Sequence, residues 1–157
     1  MKKADPVIVG IAAFALIILA GIVLALVRSQ AAPIVQYQLG DLNRPVLEIG
    51  QVQFDFGQTF LSEIKTSDVF VKNGGNRPLV FSEAVTSCDC TFVQLISSGK
   101  ESKKFSMQRD LAWRQELAPG EKGVIRVIYE PRLMPVKGQV SRQAALKTND
   151  PLNPLVN

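Results

Sequence analysis

Ser67-Asp-Val-Phe-Val-Lys72, then Asn73-Gly-Gly-Asn-Arg-Pro78, then Leu79-Val-Phe-Ser-Glu-Ala-Val85 is the stretch on which the fold turns. β-Branched and aromatic residues dominate Asp68 to Lys72 with the alternation of a half-buried strand, and Leu79 to Val85 has the same texture. Between them, asparagine and glycine tolerate positive φ and mark a turn. Two strands joined by so short a break predict a hairpin closed by Asn73 to Pro78.

The same texture extends outward in both directions. Val46–Ile49, Gln51–Phe56, Thr91–Ile96, Val124–Tyr129 and Gln139–Lys147 read as further strands, with Pro119-Gly-Glu-Lys-Gly123 as another turn. Phe54 and Phe56 alternate toward one face and are expected in the core, with Gly57 ending their strand. Only Met107–Leu117 has a helical cast. The expected domain, residues 45–157, is therefore all-β.

Before Pro45 the chain changes character. Val7 to Val27 contains no polar or charged side chain and, as a helix, would reach ~31 Å, the thickness of a bilayer core. Lys2 and Lys3 precede it and Arg28 follows, which places the N-terminus (residues 1–6) in the cytoplasm and exports the rest. A cleaved signal peptide ending near Ser29-Gln-Ala31 is the competing reading. The length of the apolar run, the intrusion of Arg28 and the lack of a following cysteine for lipidation weigh against it. Gly21 and Ala25 form a small-xxx-small pair that would let a second helix approach, or simply face lipid. Residues 28–44 read as a linker.

Composition narrows the chemistry. The 157 residues suit one membrane segment and one domain. From Ala31 onward there are 15 Lys and Arg against 13 Asp and Glu, so the domain is nearly neutral and no nucleic-acid partner is expected. Histidine is absent, which excludes Ser-His-Asp and Cys-His catalysis and histidine-based zinc sites within the chain. The carboxylates are scattered singly among turns. No enzyme activity is expected.

Five motifs fall in a recognisable order: Phe54-Asp-Phe-Gly57; Phe70-Val-Lys-Asn-Gly-Gly-Asn-Arg-Pro-Leu79; Ser87-Cys-Asp-Cys-Thr91; Leu117-Ala-Pro-Gly-Glu121; and Lys147-Thr-Asn-Asp-Pro151. The pattern resembles the bacterial domains of unknown function related to the Hydin and ASH immunoglobulin-like domains, cousins of the major sperm protein fold. That resemblance implies an immunoglobulin-like seven-stranded β-sandwich acting as a binding or assembly module. Two departures stand out. The connection from Thr91 to Pro119 is longer than the resemblance implies, and the chain stops at Asn157 where one more strand would follow. Either a partner or the chain's own linker completes the sheet, or Leu152–Asn157 already makes a stub strand.

Cys88 and Cys90, two residues apart in an extended segment, place both sulfurs on one face. They can be a packed or disulfide-bonded pair, a thiol-redox pair, or two ligands to a soft ion such as Cu(I) with Met107 or Met134 as a third; otherwise no cofactor is expected. Trp113, flanked by Arg109 and Arg114 in the long connection, fits either a partner contact or a lid over the sandwich core. Together these features lead to a single-pass accessory subunit of a prokaryotic cytoplasmic-membrane or envelope complex, its domain periplasmic or extracellular, in contact with the lipid bilayer and a protein partner. The alternative is a thiol-redox or copper-handling protein.

Overall fold

The structure is a computed structural model that describes residues 6–28 and 33–157, with the side chains of residues 6, 8, 9, 12 and 25–28 left out. One compact unit contains helix α1 (Pro6–Arg28); the other is Ile34–Asn157.

Among the described residues no helix is long and apolar enough to cross a membrane. The expected span Val7–Val27 includes residues whose side chains lie outside the description, and Lys2, Lys3 and Ser29-Gln-Ala31 lie outside it entirely. Gly21 has open space around it, whereas the side chain of its expected companion Ala25 is not described.

The second unit is a sandwich of two antiparallel sheets. Its strands are β1 (Leu47–Ile49), β2 (Lys65–Asn73), β3 (Leu79–Thr86), β4 (Thr91–Ser97), β5 (Lys100–Glu101), β6 (Arg114–Leu117), β7 (Lys122–Tyr129), β8 (Ala144–Thr148) and β9 (Leu155–Val156). One sheet runs β1-β2-β7-β4-β5, the other β6-β3-β8-β9. Seven of these nine strands have three residues or more; β5 and β9 are two-residue stubs. Val69 and Val71 of β2, Val93 and Leu95 of β4, and Ile125 of β7 point inward. They meet Leu79, Phe81 and Ala84 of β3, Leu117 of β6 and Leu146 of β8, an apolar layer whose removal from water drives the two sheets together.

The expected hairpin is not one. β2 pairs with β1 and β7, β3 with β6 and β8, so Asn73 to Pro78 carries the chain from one sheet to the other. The Asn73 side chain explains why. It is fully buried, its Nδ2 donates to the carbonyls of Arg77 (2.7 Å) and Leu117 (3.0 Å), and its Oδ1 accepts from Gly75 N–H (3.0 Å). A side chain at Gly75 would strike the backbone of Arg44, Pro45 and Val46, which fixes that position as glycine.

Asn149 and Asp150 staple the opposite motif in the same way. Asn149 Oδ1 accepts from Val80 N–H (2.8 Å) and its Nδ2 donates to Pro78 O (3.2 Å). Asp150, buried, accepts from Leu47 N–H (2.9 Å) and from Arg44 Nη1 (3.0 Å). The turn then leads into β9, so Leu155–Val156 do form the stub strand, paired with Leu146 and Lys147.

Other expectations change. Gln51–Phe56 is not a strand: Gln51 Nε2 donates to Gln53 O, and Asp55 Oδ1 accepts from Gly57 N–H, closing local turns that compete with sheet pairing. Phe54 accordingly stays exposed. Met107–Leu117 is not a helix. Asp110 Oδ1 accepts from the N–H groups of Ala112 and Trp113, making a turn, and Arg114–Leu117 then pair as β6. Of Gln139–Lys147 only the part from Ala144 is extended into β8.

Candidate functional site

The turn between β3 and β4 holds the cysteines. Thr91 N–H donates to Cys88 O (3.1 Å), and the Thr86 hydroxyl lies 2.9 and 2.8 Å from the carbonyls of Cys88 and Thr91, so both strand ends clamp the turn. Cys88 and Cys90 are joined by a disulfide and are only 4% and 0% exposed. Phe56 and Tyr129 pack against them, with the two rings stacked.

Two polar or soft groups reach the sulfurs from later in the chain. After β7, Glu130 N–H donates to Cys90 O (2.8 Å) and a short 3-10 turn, Pro131–Leu133, brings Met134 Sδ to 3.5 Å from Cys88 Sγ. On the other side, Arg142 Nε donates to Cys90 Sγ at 3.4 Å. Met134, one of the two candidate companions, thus lies beside the pair. Met107 is not: it is exposed, and no contact with either sulfur is found among the described residues. Arg142 was invisible to sequence reasoning because nothing in its spacing ties it to Cys90.

The long connection builds a second feature. Trp113 is half-buried, its ring 4.5 Å from that of Phe105 in the core, which makes it part of the sandwich wall. Its flank nevertheless lines an open groove of about 730 Å³ with Lys100, Lys103, Asp110 and Arg114. Arg114 Nη1 donates to the carbonyls of Leu111 (3.0 Å) and Trp113 (3.3 Å), while its buried Nε has no hydrogen-bond partner among the described residues. Arg109 points elsewhere, 3.7 Å from Glu83. Arg109 thus does not line the groove with Trp113 and Arg114.

A third feature lies on β2. β1 pairs only with its last three residues, Val71 to Asn73, and Gly50 N–H reaches Phe70 O; beyond that, among the described residues, no strand pairs with Lys65–Val69 on this side. Phe70, 71% exposed, stands on the outer face, and Phe54, Phe60, Leu61 and Ile64 are exposed along the preceding segment. Phe70 was not singled out from the sequence; its signal is an aromatic residue at an outward position of an alternating strand.

Four carboxylates are held in place by hydrogen bonds. Hydrogen bonds from Lys65, Arg126, Lys103 and Ser98 hold Glu63, Asp68, Asp110 and Glu121 below the usual carboxylate range. Such groups stay ionised at neutral pH and do not serve as proton donors.

The match between this chain and known families falls on the part that contains β1 to the long connection, cysteine turn included. Residues 47–105 match DUF1573, a family of proteins of unknown function. The matched segment takes in the Asn73 crossover and the Cys88–Cys90 turn, and with them three of the five motifs; Leu117–Glu121 and Lys147–Pro151 lie beyond it. Among solved structures, the ASH/PapD-like domain 7 of human CEP192 is similar at 14% identity, covering 76% of this chain and 80% of that one, with a TM-score of 0.41. No curated protein matches the chain.

Proposed function

We propose that the chain is an exported, single-pass membrane-anchored immunoglobulin-like module that binds or assembles with another protein, as an accessory subunit of a membrane or envelope complex. The observation that carries the binding role is the unpaired side of β2, where the Lys65–Val69 backbone lies open beside exposed Phe54, Phe60, Leu61, Ile64 and Phe70. An open strand edge with flanking apolar side chains is what an added strand recognises, by main-chain hydrogen bonds and side-chain contacts together. The anchor is supported by the residues of α1, none of them charged from Val7 to Val27. Confinement to a bilayer would raise the effective concentration of both partners.

The test has two arms. Membranes washed with alkaline carbonate are expected to retain the full chain; release into the wash would remove the anchor. On native electrophoresis in mild detergent, the chain is expected in a species larger than itself. Phe70→Glu, and Thr66→Pro at an outward-facing backbone position, are expected to return it to the monomer without unfolding it. Unchanged migration of both variants would sink the edge-docking reading.

A further inference from the structure

The structure brings a third sulfur to a buried cysteine pair, and from this juxtaposition we infer a Cu(I) site: once Cys88 and Cys90 are reduced, their two thiolates and the Met134 thioether bind one Cu(I) ion.

The geometry supports three sulfurs acting together. Met134 lies 46 residues from Cys88, yet its Sδ is 3.5 Å from Cys88 Sγ. Its approach is fixed by the backbone, because Glu130 N–H is bonded to Cys90 O and Met134 N–H to Pro131 O. Metal–sulfur bonds near ~2.3 Å place three sulfurs in a plane ~4 Å apart. Met134, 47% exposed, has room to move outward by that small difference, and the Cys88 and Cys90 sulfurs part to the same spacing once their bond is broken.

The donor set selects the metal. Two thiolates and a thioether are soft ligands that favour Cu(I). Structural zinc takes four ligands, and among the described residues no group of three His, Cys, Asp or Glu side chains is positioned to hold a metal. Charge agrees as well. Cu(I) with two thiolates carries a net charge of −1, and Arg142, whose Nε already donates to Cys90 Sγ, supplies the balancing +1. Phe56 and Tyr129 wall the sulfurs from water on the other side.

Loading requires reduction first. A dithiol reductant transfers two electrons and two protons to the Cys88–Cys90 bond; that bond breaks, two thiols form, and the reductant leaves as its own disulfide. Cu(I) then displaces the two thiol protons as both sulfurs coordinate, and copper itself changes no oxidation state. The disulfide closes a loop of only three residues and so contributes little to folding, which leaves the pair free to open without loss of the domain.

The experiment uses the full chain in mild detergent, reduced with a phosphine under nitrogen and titrated with Cu(I) against a chromophoric Cu(I) chelator. One Cu(I) per chain is expected to leave the chelator, with three Cu–S distances by X-ray absorption. Met134→Leu, a near-isosteric change at a half-exposed side chain, is expected to weaken binding about tenfold or more and to leave two Cu–S distances. Cys88→Ser and Cys90→Ser are each expected to abolish it, with folding checked by circular dichroism. Failure to withdraw copper from the chelator would overturn the site and leave the pair as a disulfide or thiol-exchange element. Unchanged affinity and sulfur count in Met134→Leu would overturn the three-sulfur assignment.

Discussion

Asn73 satisfies four backbone positions from one buried side chain: the carbonyls of Arg77 and Leu117 and the N–H groups of Gly75 and Val46. Asn73→Ala leaves these groups without their partner; only the bond to Leu117 O is fully buried, and an orphaned buried polar group costs ~1–3 kcal/mol while the part-buried ones cost less. A loss of about 2–4 kcal/mol is expected, read as a lower urea midpoint with an unchanged slope. The cysteine pair predicts the opposite. Since entropy of closure depends on loop length, reducing a disulfide across one intervening residue is expected to cost no more than about 1.5 kcal/mol. Urea melts with and without a phosphine reductant check this; unfolding on reduction would show that the bond holds the β3–β4 turn together.

At the scale of elements, β2 and β7 are joined across their exposed face by Asp68 and Arg126, with Nε–Oδ1 and Nη2–Oδ2 distances of 2.8 and 2.9 Å. The Arg126 hydrogen bond lowers the Asp68 pKa in the folded state. Its stabilising effect is therefore complete above the unfolded carboxylate value, ~3.9, and fades as pH falls through the depressed folded value. The urea midpoints of wild type and Asp68→Ala are expected to differ by a constant amount above about pH 5 and to converge below pH ~4. A difference that grew on acidification would contradict the pair's role. The long connection contributes through packing instead. Trp113 covers Phe105, so Trp113→Ala is expected to destabilise by about 2–3 kcal/mol, less than a fully buried tryptophan would cost. Elements such as β2, β4 and β7 were legible because their alternation is strong. β6 was not: Arg114-Gln-Glu-Leu117 has no apolar alternation and becomes a strand only because β3 offers it a ladder. Gln51–Phe56 failed in reverse, since its β-forming residues lose to the Gln51 and Asp55 side-chain bonds.

For the molecule as a whole, the sandwich was legible from strand texture and turn spacing, but which strands share a sheet was not. That partition is set by contacts remote in sequence, above all the buried amides and carboxylate of Asn73, Asn149 and Asp150, which look like ordinary turn residues. The cysteine turn was legible as a pair and Met134 as a candidate companion, whereas Arg142 and the open β2 edge depend on tertiary placement. The same remote contacts decide where the domain begins. Texture puts its start at Pro45, yet Arg44 Nη1 reaches buried Asp150, Arg44 O accepts from Asn76 N–H (3.2 Å), and Val35 O accepts from Asn149 Nδ2 (3.4 Å). A fragment starting at Ile34 keeps all three and is expected to unfold cooperatively. A fragment starting at Pro45 removes the partner of a buried carboxylate, a loss of about 3–5 kcal/mol when such a pair is broken. Comparative urea melts of the two fragments test this, and equal midpoints would show that residues 34–44 lie along the sandwich without holding it. Arg44→Met in the longer fragment separates the ion pair from the backbone contacts: a midpoint as low as that of the Pro45 fragment would assign the loss to the Arg44–Asp150 pair alone.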